Sequence, residues 1–201
     1  TSGRGGKHGR STPDLMRFLR TLWQFSRPHT IIGRFLSITA LYAIAVRDVP
    51  GNWPLLVGSL VAALCCNVYI TGLNQWADVE VDRINKPWLP IAAGVLSRRQ
   101  GMIIVLACGF LALGFAAWFS WTFLTLIALI MGIGTAYSLP PLKFKRHHLG
   151  AAAAIALVRG LMVNVGFYQH FRYELTGNGA LEPAVWPLVI FVAALPASQS
   201  G

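Results

Sequence analysis

The run Asn74-Gln-Trp-Ala-Asp78-Val-Glu-Val-Asp82 sets three oxygen-bearing side chains four residues apart. On a helix that spacing stacks Asn74, Asp78 and Asp82 on one face. At the end of an apolar segment such groups are costly unless they face a cavity or bind something. Mg2+ suits them, because it binds through one or two carboxylates, keeps several waters and is completed by substrate phosphates. The plainer reading of one aspartate at such a place is a solvated helix end. Asn74, Asp78 and Asp82 together are candidate metal ligands and candidate catalytic groups.

A second run, Gly134-Thr-Ala-Tyr137-Ser-Leu-Pro-Pro-Leu-Lys143-Phe-Lys145-Arg146, closes one helix with a tyrosine and breaks it with prolines. Three cations follow in a compact loop, where Lys143, Lys145 and Arg146 could hold a diphosphate. By itself this is also what any cytoplasmic-side hairpin looks like. A third run, Arg159-Gly-Leu-Met-Val-Asn164, puts a guanidinium and an amide inside an apolar helix. There they face the interior or a cavity by default, and we expect Arg159 and Asn164 to be polar groups of the cavity. His170 stands at the far end of that helix and reads as an interfacial residue.

These runs need helices to carry them. Stretches long enough for the ~30 Å hydrocarbon core of a bilayer are Thr30–Val46, Trp53–Ala77, Met102–Trp118, Trp121–Leu139 and Leu149–His170, with a shorter one at Ala184–Leu195. Of 201 residues, 55% are hydrophobic and only 12% charged, with mean hydropathy +0.55. That is too little charge for a soluble surface. The fold class is therefore all-α, a polytopic transmembrane helix bundle. A net charge of +10 could suggest nucleic acid, but much of it lies in the N-terminal tail and in two loops, so no nucleic-acid partner is expected. Cys65, Cys66 and Cys108 all fall within apolar runs and read as packing residues, neither a disulfide framework nor a zinc site.

Charge also orients the bundle. Arg83, Lys86, Arg98 and Arg99 follow the second span, Lys143, Lys145 and Arg146 the fourth, and the opposite loops offer little beyond Arg47 and Arg172. The basic face should be the stromal or cytoplasmic one, and it holds the aspartate run and the Tyr137–Arg146 run. Residues 1–24 read as an unfolded basic tail, either the end of a transit peptide or an ordinary tail. Residues 25–201 read as the membrane domain, and the abrupt end at Pro196-Ala-Ser-Gln-Ser-Gly201 reads as a truncation.

An Asn-x3-Asp-x3-Asp run followed by a basic loop and a Tyr–Lys run resembles the UbiA superfamily of aromatic prenyltransferases. Longer stretches resemble its tocopherol-pathway branch, the homogentisate phytyltransferases. These are Phe25-Ser-Arg-Pro-His-Thr-Ile-Ile-Gly33, Asn67-Val-Tyr-Ile-Thr-Gly-Leu-Asn-Gln75, Asp82-Arg-Ile-Asn-Lys-Pro-Trp-Leu-Pro90 and Arg159-Gly-Leu-Met-Val-Asn-Val-Gly166. The resemblance implies a UbiA-like bundle, here incomplete, in a plastid membrane or alternatively a cyanobacterial one. It implies transfer of a phytyl or geranylgeranyl group from its diphosphate to homogentisate, with Mg2+ on Asn74, Asp78 and Asp82. It also implies Tyr137, Lys145 and Arg146 at the diphosphate, with Arg27 and Lys86 nearby. Such enzymes carry a second aspartate run several helices later, whereas Asp82 is the last aspartate here. The 201-residue chain is thus expected to be inactive by itself. A transporter using the carboxylates, or an inactive fragment that packs with a partner, are the other readings.

The orientation is checkable by labelling single cysteines introduced as Arg98→Cys and His147→Cys. Both should react from the same side of the membrane; labelling from opposite sides would overturn the order of spans.

Overall fold

The computed structural model describes residues 14–180 together with 183, 186 and 187. Within them the chain is helical: α1 Asp14–Phe25, α2 Pro28–Ala45, α3 Trp53–Ala77, α4 Val79–Asn85, α5 Arg98–Phe119 and α6 Trp121–Ser138 come first. A 3-10 turn, Phe144–Arg146, then leads into α7, His148–Ile155, which runs through a π-helical segment, Ala156–Met162, into α8, Val163–Thr176. No strand occurs among the described residues.

Four helical stretches are long and apolar enough to cross a membrane: Trp53–Ala77, Arg98–Phe119, Trp121–Ser138 and the continuous His148–Thr176. The protein is an integral membrane helix bundle. α2 covers the first expected span and packs on α3 and α8, with Arg34 in its middle. The expected sixth span, 184–195, lies outside the described residues apart from 186 and 187. The tail differs from expectation. Its residues 14–24 belong to α1, where apolar side chains recur at helical spacing among the arginines.

Helix starts follow local chemistry. Asn52 accepts a hydrogen bond from the Leu55 amide at 3.2 Å, with Pro54 in the first turn of α3. Ser97 and Gln100 form a reciprocal capping box that starts α5. α3 is the central helix, packed on α2, α5 and α6. Small residues allow the close approach. A Cβ on Gly109 of α5 would lie 2.9 Å from the Tyr69 ring of α3, and the Tyr69 hydroxyl is 2.9 Å from Thr135 Oγ1 on α6. The larger core cluster joins Ile38 and Leu41 of α2 to Phe123 and Ile127 of α6 and to Phe167 and Phe171 of α8.

Two ends result. At one, Arg172 of α8 reaches the loop between α2 and α3, donating to Ala45 O at 3.0 Å and to Asp48 Oδ1 at 2.6 Å. That bond holds the Asp48 carboxyl below the usual carboxylate range. At the other end the two basic loops meet, and the candidate site lies there.

Candidate functional site

Helix α3 stops at Ala77, and Asp78 lies between α3 and α4 with φ −109° and ψ 17°. Asn74, Asp78 and Asp82 therefore do not ride one unbroken helix, although the amides of Asp78 and Asp82 still bond to the carbonyls of Asn74 and Asp78 at 3.0 and 2.8 Å. The break separates their partners. Lys145 donates to Asn74 Oδ1 at 3.0 Å and to Asp78 Oδ2, so one ammonium joins the end of α3 to the loop after α6. Lys143 Nζ lies 3.9 Å from Asp78 Oδ1, and Ser138 donates to Asn74 Oδ1 at 3.4 Å. Asp82 is buried and pairs with Lys86 at 3.7 Å, while its Oδ2 has no hydrogen-bond partner. Burial holds the Lys145 ammonium below the usual lysine range, against the opposing pull of Asp78.

Behind this cluster lies a cavity of about 260 Å³. Its polar wall includes Asn74, Tyr137, Arg27, Arg34 and Arg159, and its apolar wall includes Ile70 and Ile133. Arg27 has its backbone in the left-handed region, φ 55°, and its Nη2 is buried without a partner. Lys143 is also left-handed, φ 37°. For residues with a side chain such conformations cost about 1–3 kcal/mol each, and they cluster at functional sites. An unpartnered buried guanidinium nitrogen is a donor waiting for an acceptor.

The junction that fixes Arg27 is closely tied. Phe25 is fully buried, the Gln75 amide donates to its carbonyl at 2.7 Å, and Asn67 donates to Thr30 Oγ1 at 2.9 Å.

The site thus gathers most of the candidates and redistributes others. Asn74, Asp78, Lys143 and Lys145 form the cluster, and Arg27, Tyr137 and Arg159 line the cavity beside Asn74. Lys86 attends Asp82 instead of the open site, and Arg146 is exposed. Asn164, expected as a cavity polar group, is absent from the cavity lining. Its amide donates to the carbonyls of Arg159 and Gly160 at 3.1 and 2.9 Å, groups within the π-helical segment. It serves the backbone of its own helix where the regular ladder is disturbed. His170 is no interfacial residue either: it is buried, 3.0 Å from Ser59 Oγ and stacked on Phe123. Arg34 went unnoticed in the sequence. The rule that singles out Arg159, a lone charge inside a span, applies equally to it.

A match to the UbiA prenyltransferase family model extends over residues 35–198. The chain belongs to the UbiA prenyltransferase family. It is 44% identical over 184 residues to homogentisate phytyltransferase of Synechocystis sp., a match covering 88% of this chain and 59% of that protein. It is 40% identical over 171 residues to the chloroplastic homogentisate phytyltransferase 1 of Arabidopsis thaliana, covering 81% of this chain and 43% of the relative. The chain spans about half the length of these relatives. The same fold occurs in a UbiA homolog from Archaeoglobus fulgidus solved with GPP and Mg2+, at a TM-score of 0.70 and 20% identity, covering 90% of this chain and 62% of that one.

Lys145 occupies the space between two oxygen donors that a divalent cation would share. Lys145→Met should therefore tighten Mn2+ binding to the purified protein, read by electron paramagnetic resonance without any diphosphate, while weakening diphosphate binding. Unchanged Mn2+ affinity would show that the ammonium does not compete for those oxygens.

Proposed function

We propose that the chain forms the donor-binding part of a Mg2+-dependent prenyltransferase acting on homogentisate in a plastid or cyanobacterial membrane. The observation that carries this reading is the convergence of Asn74 and Asp78 on one cation at the mouth of an arginine-lined cavity. Fold, family and relatives named homogentisate phytyltransferase support it.

The residues fit a metal–diphosphate pair. Two oxygen donors already converge on a cation, and a buried carboxylate oxygen of Asp82 has no partner. Among the described residues no three His, Cys, Asp or Glu side chains cluster around one point, so phosphate oxygens and water must complete the shell. Asn74, Asp78 and Asp82 would hold Mg2+, which supplies charge neutralisation of the leaving diphosphate. Lys145, released from Asp78, and Lys143 would bind that diphosphate, with Arg27 as a further donor.

The rest is the work of the cavity. As the C–O bond to diphosphate breaks, positive charge develops on the allylic carbon, and Tyr137 is the aromatic residue of the wall whose ring would stabilise it. The aromatic acceptor then forms the new C–C bond and gives up a ring proton, and its carboxylate leaves as carbon dioxide with a proton taking its place. Arg34 and Arg159 exceed the number of cations a diphosphate needs and suit the acceptor's carboxylate. At about 260 Å³ the cavity is small for a ligand site, so it holds the reacting head while the prenyl tail runs on among apolar side chains. Walls such as Ile70, Ile130, Ile133 and Val158 keep water from the cation.

A chimera joining this chain to the part of the Synechocystis relative that the match does not cover tests the reading. It should transfer labelled phytyl from its diphosphate to homogentisate, and Asp78→Ala should cut that rate by about 100-fold or more. The 201-residue chain alone should bind the donor in a Mg2+-dependent way without transferring it. Transfer undiminished by Asp78→Ala would remove Asp78 from the reaction.

A further inference from the structure

Helix α1 plays no part in the site chemistry, yet its surface is sharply divided. Met16, Leu19 and Trp23 recur at i, i+3 and i+7, and Phe18, Leu22 and Phe25 at i, i+4 and i+7, so the two apolar stripes adjoin. Arg17, Arg20 and Gln24 form the opposite stripe. Among the α1 residues whose burial is described, only Phe25 is fully buried in the bundle, whereas Met16, Phe18, Leu19 and Trp23 are all about half exposed or more. An isolated helix of 12 residues is marginal in water, and this one would leave most of its apolar face wet.

Its attachment sets its depth. Phe25 sits where a Cβ on Gly72 of α3 would lie 2.7 Å from its ring, and Gly72 is five residues before the end of α3 at Ala77. At 1.5 Å per residue the root of α1 therefore lies roughly 7 Å inside the end of that spanning helix. Amphipathic helices in a membrane surface bury their apolar face about 5–10 Å into the boundary between headgroups and acyl chains. α8 packs on α2 and α6, while α1 packs on α3 beside the start of α5.

We propose that α1 is an interfacial helix that binds the anionic headgroup layer of the bilayer at the basic end of the molecule. Met16, Phe18, Leu19 and Trp23 enter the acyl boundary, and the exposed Arg17 and Arg20 meet lipid phosphates. Two residues beyond its end stands Arg27, so the lipid contact steadies the backbone that presents that guanidinium to the cavity. The proposal rests on the membrane bundle and not on the prenyl-transfer reading.

The test is hydrogen–deuterium exchange on the protein in nanodiscs of phosphatidylcholine alone and of equal parts phosphatidylcholine and phosphatidylglycerol. Exchange across residues 14–25 should slow by on the order of 10-fold with phosphatidylglycerol. The increment should vanish in Arg17→Gln/Arg20→Gln, and in the unaltered protein at high salt, with exchange across 53–77 constant. Should the double variant disturb 53–77, the salt series alone decides. Equal exchange in the two lipids, or an increment that survives high salt, overturns the proposal. So does protection that follows the number of protein copies per disc, which would assign the face to a second copy of the chain.

Discussion

One ammonium shared by an amide and a carboxylate joins the two ends of chain on which this site depends. Lys145 follows α6, Asn74 and Asp78 end α3, and the bond between them requires both loops to lie at the same end of the bundle. Oxygen-bearing side chains at a membrane edge are costly without partners, and lysines flanking a span are favoured on one side only. The two requirements are met together when the groups meet each other. On the proposed reading a divalent cation takes the place of the ammonium at Asn74 and Asp78, and the lysine moves from carboxylate to phosphate.

Around that contact the bundle does what a bilayer demands. Backbone groups are satisfied within helices, and three guanidiniums share one cavity wall with other polar groups such as Asn67 and Asn74 and with apolar side chains. Holding cations in that setting is unfavourable without anionic partners. The left-handed backbone at Arg27 and Lys143 and the unpartnered nitrogen of Arg27 are local costs of the same kind. On the proposed reading an anionic ligand would relieve them, and that relief would favour binding.

Much of this was legible in the residues. Spacing of four put Asn74 over Asp78, charge asymmetry put Lys145 on their side, and hydropathy placed α3, α5 and α6 within a few residues of their observed ends. What escaped has identifiable causes. Periodicity carries no sign of the break at Asp78, because the hydrogen-bond spacing continues across it. Asn164 reads as a cavity group only if its helix is regular, and the π-helical segment that claims its amide contains no proline, its one glycine, Gly160, being common in membrane helices of regular geometry. α1 was hidden by tail-like composition, since its arginines count toward disorder in a window average but form one stripe on a helix. Arg34 needed only even application of the rule for buried charge.

On the proposed reading Asn74, Asp78 and the facing cations form one site for a metal and a diphosphate. Pulsed electron paramagnetic resonance on the protein with Mn2+ and a non-reactive prenyl thiolodiphosphate tests it. A phosphorus hyperfine coupling should appear on the Mn2+ signal and should disappear in Asp78→Ala. A Mn2+ spectrum indifferent to the diphosphate analogue, or a coupling that survives the loss of Asp78, would contradict it.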